Sequence, residues 1–434
     1  MVGRRVVRAY PCTRMTDFSI IRRSLTGRLF STVSTVLTVA VAVGLMLVLL
    51  SMRDAGRRAL GRGSGNMHLL VSADSSPLTS VLNAVFYARA PARALPLARA
   101  TALAENPMVQ WALPVAQGDS YKGFPTLAIS REFLARFEPV AGEPFKLAAG
   151  RMPDDDFDVI VGSEAAAGTG LKIGDELVVT HGISSEGGHA HDEHPYTVAG
   201  ILQPTGTAHD RAVFVSLVST WVMHADDFRR KNADAERATA ENLREGEKLI
   251  TGIYVRGKGR AGSDTPATLP MLFNQLRSDA TLTVASPGQQ IDQLFTIVGS
   301  IDKLFIAIAS VVLLSSAVTI MLVMHNTMEM RKRQIAVLRV LGASRGRVFA
   351  LVLTESAVLG LLGAVLGVAL AVGGVVLTAW AVRVQLGLVI QPSVEPMWVV
   401  VLLGGSVVLA SLAGVLPAVR AYRTNVLGSL RAVG

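Results

Sequence analysis

Hydrophobic and polar positions are spread very unevenly along this chain. Four blocks, Leu29 to Met52, Leu304 to Met324, Val348 to Val382 and Pro396 to Val419, carry no charge or one each. Each is at least roughly 20 residues long, enough for an α-helix to cross about 30 Å of hydrocarbon. Between the first two blocks the pattern breaks into short β-branched runs separated by Gly, Asp and Pro, which predict strands. The runs are Met67 to Val71, Thr126 to Ser130, Phe157 to Gly162, Glu176 to Thr180, Tyr196 to Leu202, Ala212 to Leu217 and Ile250 to Arg256. Helical spacing is expected over Pro96 to Glu105 and Ala238 to Leu249. The fold class is therefore membrane α-helical, with four transmembrane helices and a large mixed α/β extracytoplasmic domain inserted between helices 1 and 2.

Ser286-Pro287 is a helix-start signal, and Ile291, Leu294, Phe295, Val298, Ile301 and Phe305 then share one face. Such a helix enters the second block without a break, as a stalk; the plainer reading is an amphipathic helix packed on the domain. Asp17 to Arg28 sets Phe18, Ile21 and Leu25 at helical spacing among arginines. It suits either an interfacial helix or a basic flank that only orients the first span.

Composition agrees with the pattern. Half of the 434 residues are hydrophobic and 17% are charged, with a mean hydropathy of +0.43, too apolar for an ordinary soluble protein. The net charge of +9 does not point to nucleic acid, because the basic residues gather beside the apolar blocks. Arg4 to Arg28, Arg331 to Arg347 and Arg420 to Arg431 mark three cytoplasmic regions by the positive-inside rule, although Arg53, Arg57, Arg58 and Arg62 pull the other way. The expected plan is a cytoplasmic flank (1–28), helix 1 (29–52), the outer domain (53–285) with a β-rich subdomain at about 145–220, and the stalk (286–303). Helix 2 (304–327), a cytoplasmic coupling helix (328–347), helix 3 (348–382), a short outer loop (383–395), helix 4 (396–419) and a cytoplasmic tail (420–434) complete it. The first block is too long for a signal-peptide core and lacks a small-residue cleavage site, so it reads as an uncleaved anchor. The single cysteine, Cys12, excludes an intramolecular disulfide framework and a thiolate metal cluster.

The connection after the second block reads Met330-Arg-Lys-Arg-Gln-Ile-Ala-Val-Leu-Arg-Val-Leu-Gly-Ala-Ser344, and Leu353-Thr-Glu-Ser356 follows. Ile335, Leu338 and Leu341 recur at helical spacing opposite Arg331, Arg333 and Arg339; Gly342 is placed to stop that helix and Ser344 to start the next. A helix of this kind can dock in a groove of a soluble partner or lie on anionic lipid. The basic turn, the Ile-Ala-x-Leu-Arg helix, the Gly-Ala break and the Glu-Ser pair resemble the FtsX-like permease domain of ABC systems of the macrolide-exporter and lipoprotein-release type. Asp158-Val-Ile-Val-Gly162, Gly170-Leu-Lys-Ile-Gly-Asp-Glu176 and Tyr196-Thr-Val-Ala-Gly-Ile-Leu202 resemble the β-rich part of that family's periplasmic domain.

The resemblance implies a multi-pass protein of a bacterial inner membrane, with both termini cytoplasmic and the large domain periplasmic. It implies docking of a cytoplasmic ABC ATPase on the Arg331–Gly342 segment, and a homodimer that transmits ATPase movement to the periplasmic domain to export or extract a substrate. The competing reading is a non-transporting signal transducer that regulates an envelope enzyme or senses metal through a periplasmic partner. The chain has no Gly-x-x-x-x-Gly-Lys-[Ser/Thr] loop, so ATP and Mg²⁺ are expected in a separate subunit, and no motif argues for intrinsic catalysis.

Three further features stand out. Glu355 is an ionisable residue within a span, fitted either to the helix dipole or to an ion pathway. Gly360, Gly363 and Gly367 permit close helix packing, within the chain or between copies. His181-Gly-Ile-Ser-Ser-Glu-Gly-Gly-His189-Ala-His191-Asp-Glu-His194 is a ligand set for Zn²⁺, with His189, His191 and His194 as its core and His181, Glu186 or Asp192 completing the shell. The opposing reading is a solvated loop that binds nothing. His209, Asp210 and His224 are expected at strand ends or turns, with the alternative that they contribute metal ligands once the chain is folded.

Overall fold

A computed structural model describes residues 17–182, 191–230, 236–259, 265–340, 342–386 and 393–423. In chain order it contains α1 (Asp17–Thr26), α2 (Leu29–Arg62), β1 (Leu69–Ser72), α3 (Pro77–Ala84), β2 (Leu95–Pro96), α4 (Ala98–Ala104), β3 (Val109–Ala116) and β4 (Asp119–Tyr121). Next come β5 (Phe124–Ile129), α5 (Phe133–Arg136), β6 (Leu147–Gly150), β7 (Asp158–Val161), α6 (Ser163–Thr169), β8 (Glu176–Leu177), β9 (Thr180–His181), β10 (Tyr196–Leu202) and β11 (Val213–Ser216). The remainder is α7 (Leu217–Arg229), β12 (Leu249–Ile250), β13 (Gly252–Gly257), α8 (Leu269–Arg277), β14 (Thr283–Ala285), α9 (Pro287–Val340), α10 (Arg345–Leu386) and α11 (Pro396–Arg423). These elements form two compact units.

The unit built on residues 54–300 is organised by one twelve-stranded sheet, ordered β14-β1-β13-β3-β5-β11-β7-β10-β6, with β4 on β5 and β9, and β8 on β10. Alternation along the strands sorts apolar residues to its two faces. Leu69, Val71, Val159, Val161, Val213, Val215, Ile253 and Val255 enter one core, with Leu103 of α4, Trp221 of α7 and Leu272 of α8. Leu70, Ile160, Phe214 and Tyr254 enter the other, with Val81 of α3, Phe133 of α5 and Ile291 at the start of α9. Burial on both faces is why Val159-Ile-Val161 reads as a continuous apolar run.

The β-rich part is thus a wing of this sheet and shares both its cores. It joins the rest where β5 pairs antiparallel with β3 and parallel with β11. Ala238 to Leu249, expected as a helix, holds only a 3₁₀ turn at Glu245–Glu247. Tertiary contacts outweigh its helix propensity. Arg229 of α7 bonds the Asn242 carbonyl at 3.0 Å and the Glu247 carboxylate at 2.6 Å, and Asn242 Oδ1 takes the Thr239 amide at 2.9 Å.

The second unit comprises the described parts of 17–53, 301–378 and 393–423. Among the described residues four helices are long and apolar enough to cross a membrane: Leu29–Arg58, Lys303–Asn326, Arg345–Val382 and Pro396–Arg420. Val39, Val43 and Leu47 of α2, Ile320 and Met324 of α9, Leu359 and Ala364 of α10 and Ala410 of α11 form their common core. Leu37, Val41 and Leu45 of α2 and Val311, Leu314 and Val318 of α9 remain exposed, as hydrocarbon-facing residues should.

Candidate metal centre

Among the described residues, the histidine-rich stretch sends its side chains to two different places. His189 and Glu186 lie outside the described residues. His194 turns away: its Nε2 lies 3.1 Å from Asp226 Oδ2, and its ring stacks on Phe157 with centroids 5.7 Å apart. Asp226 is 1% exposed and also receives the Ala238 amide at 3.1 Å, so this contact fastens the loop to α7. That removes His194 from the candidate ligand core.

The structure instead gathers Asp119, His181, His191 and His224, one donor atom from each, all within 4.8 Å of one another. Asp119 opens β4 and pairs in register with His181 on β9. His181 Nδ1 is 3.0 Å from Asp119 Oδ1, His224 Nε2 is 3.1 Å from Oδ2, and His191 Nε2 is 3.8 Å from Oδ1. The His191 amide donates to the Val179 carbonyl at 3.1 Å, which brings its ring back to β9. Its other ring nitrogen, Nδ1, lies 2.7 Å from Asp227 Oδ2, which places a second carboxylate behind the ring. Asp227 and His224 stand three residues apart on α7, on one face.

The back of the cluster is closed and the front is open. Asp119 and His191 side chains are 4% and 3% exposed, against 39% for His224 and 64% for His181. Burial alone would raise the Asp119 pKa, but hydrogen bonds from His181, His191 and His224 outweigh it and hold this carboxyl well below the usual carboxylate range. The Asp119 hydrogen bond in turn raises the His181 pKa. Three imidazoles and one carboxylate without a thiolate form a donor set for Zn²⁺, then Cu²⁺ or Ni²⁺. Sequence spacing could not reach Asp119, distant in the chain. His224 was expected at a strand end or turn but sits inside α7, where His224-x-x-Asp227 was the signal to read.

The other expected site residues are placed as follows. Arg331, Arg333, Ile335, Leu338 and Arg339 lie on the last turns of α9, which runs unbroken from Pro287 to Val340, so no separate coupling helix follows the second span. Ile335 is buried with Met328, Val348, Val352 and Ala418 and cannot be part of an exposed docking face; Val337 and Val340 are exposed instead, at 45% and 65%. Leu341 is outside the described residues. Gly342 has φ +97°, a backbone state that favours glycine, and the Ser344 hydroxyl accepts the Arg347 amide at 3.2 Å to start α10. Glu355 is buried and accepts a hydrogen bond from Ser24 of α1. Gly363 faces Val39 and Gly367 faces Val43 of α2, while Gly360 faces Ala410 of α11.

Comparison with known families agrees with this architecture. Residues 32–269 match the model for the MacB-like periplasmic core domain, and residues 306–426 match that for the FtsX-like permease C-terminal domain. The chain belongs to the MacB/FtsX-like family of ABC-transporter permeases: a membrane protein with a periplasmic domain, working with an ABC ATPase. No curated protein matches it. Among solved structures it is similar to the periplasmic region of MacB from Actinobacillus actinomycetemcomitans, with 13% identity over 53% of this chain and 94% of that one at a TM-score of 0.30. It is also similar to the extracellular domain of the noncanonic ABC-type transporter YknZ from Gram-positive bacteria, with 13% identity over 50% and 98% and a TM-score of 0.26.

Proposed function

We propose that this permease transmits the movement of a cytoplasmic ATPase, docked at the end of α9, to the periplasmic domain, and that it does so as a homodimer in the lipid of a bacterial inner membrane with both termini cytoplasmic. The substrate is then exported or extracted by movement of the periplasmic domain. The observation that carries the reading is α9 itself. One 54-residue helix contributes Ile291 to a core of the periplasmic domain, Ile320 and Met324 to the core of the spans, and ends in the basic Arg331–Arg339 stretch. A helix hydrogen-bonded throughout passes displacement along its axis with little loss. Glu355, an ionisable residue in the first turns of a span, accepts a hydrogen bond from Ser24 of α1, which favours transmission over a solute channel.

Val340→Asp puts a charge on the exposed apolar end of α9 without disturbing the buried face. Expressed with the ABC ATPase that co-purifies with the chain, it should insert normally, and its stimulation of ATP hydrolysis should fall to the level of the ATPase alone. Unchanged stimulation would remove the docking assignment. ATP-independent action with a stable periplasmic protein partner would favour the signal-transducer reading.

A further inference from the structure

We infer that the periplasmic domain carries a specific Zn²⁺ site formed by Asp119, His181, His191 and His224, which ties α7 to the β4–β9 pair. This goes beyond energy coupling and stands whether or not the ATPase docks as described above.

Four observations converge on it. The donor atoms come from three separate parts of the fold yet lie within 4.8 Å of one another. Tetrahedral Zn²⁺ with bonds of about 2.0–2.1 Å sets neighbouring donors roughly 3.3 Å apart; His181 already stands 3.0 Å from Asp119 Oδ1, while His224 stands 3.1 Å from the other carboxylate oxygen, Oδ2, so the carboxylate faces a histidine through each of its oxygens. His191 is the donor that must advance, from 3.8 Å. Secondly, Asp227 lies behind His191, with its Oδ2 2.7 Å from Nδ1, where a carboxylate can set the tautomer and basicity of a metal-bound imidazole. Thirdly, Asp119 is a carboxylate buried to 4% exposure whose ion-pair partners among the described residues are all histidines, with no Lys or Arg. A buried carboxylate needs a compensating cation, and a divalent metal held by neutral imidazoles supplies one. Finally, the exposed His181 and His224 leave an entry path on the solvent side.

Zinc at this point would join the sheet to the helix that also holds His194 through Asp226, so free metal outside the cytoplasm sets how firmly this side of the domain is closed. The donor set distinguishes the site from a loose polyhistidine tract, because Asp119 and His224 are far from the His-rich stretch in sequence.

The test uses the full chain in detergent, stripped with a chelator and titrated with Zn²⁺ against a chromophoric competitor, and with Co²⁺ read by visible absorption. One Zn²⁺ per chain, a tetrahedral Co²⁺ spectrum and a Zn²⁺-dependent rise in the melting temperature are expected. Zn²⁺ affinity should drop by at least about tenfold in His181→Ala, whose exposed ring can be removed without harm to packing, and in Asp119→Asn; Asp227→Asn should lose roughly tenfold. His194→Ala should bind as the parent does. Absence of stoichiometric binding, unchanged affinity in both His181→Ala and Asp119→Asn, or loss in His194→Ala alone would overturn the assignment.

Discussion

Among single residues, His209 shows most directly how burial sets chemistry. Its ring is 1% exposed, edge-on to Phe137 at 5.3 Å and near Phe145 and Phe214, with Tyr87 Oη 2.6 Å from Nδ1. Burial lowers its pKa from 6.5 to about 3. The unfolded chain therefore binds a proton near pH 6.5 that the folded chain refuses until about pH 3. Stability from this group is constant above pH 6.5 and declines as pH falls through that window, by at most about 1.4 kcal/mol per pH unit. In melts of the full chain between pH 7 and pH 5, the parent should lose more of its transition temperature than His209→Gln; equal slopes would mean that the ring is reached by water. The same scale shows what the sequence could reveal of the metal cluster. His181 and His191 stand out by local density alone. Asp119 and His224 join the cluster only because β4 pairs with β9 and α7 packs beside them, which is tertiary information.

At the level of elements, the apolar blocks were legible because a membrane span needs length and absence of charge, both local properties. The end of α9 was not: the basic stretch after Asn326 looks like a new helix by polarity, while the backbone simply continues. Glycine placement is a sharper test of how the spans pack. A Cβ built on Gly363 would come 2.5 Å from Val39 Cβ and 3.1 Å from the Val36 carbonyl, whereas one on Gly373 meets nothing within 4 Å. Gly363→Leu should therefore destabilise the span unit by about 1–3 kcal/mol through overpacking, and Gly373→Leu should be close to neutral. Thermal denaturation in detergent distinguishes them; similar losses would show that α10 does not meet α2 through this face.

For the whole molecule, the sequence correctly separated a mixed α/β domain from four apolar helices, but it divided the domain too finely, because a β-rich composition says nothing about which strand pairs with which. The β3–β5 and β5–β11 pairings decide that, and they are long-range. The coupling proposal belongs to this scale, since it asks one helix to serve both units. Gly299 lies in α9 between Ile291 and the second span, with nothing within 4 Å of a built Cβ. Gly299→Pro removes one helical hydrogen bond and sets the ring against the preceding turn, costing about 3 kcal/mol of local helix stability, without displacing a packed neighbour. Gly299→Ala leaves the helix intact and raises its propensity. If α9 carries movement, the proline variant should retain ATPase binding and a folded periplasmic domain, yet lose the ATP-dependent change in protease accessibility of that domain in the reconstituted complex, and the alanine variant should keep it. An ATP-dependent change that survives Gly299→Pro would mean that movement reaches the periplasmic domain by α2 or not at all through α9.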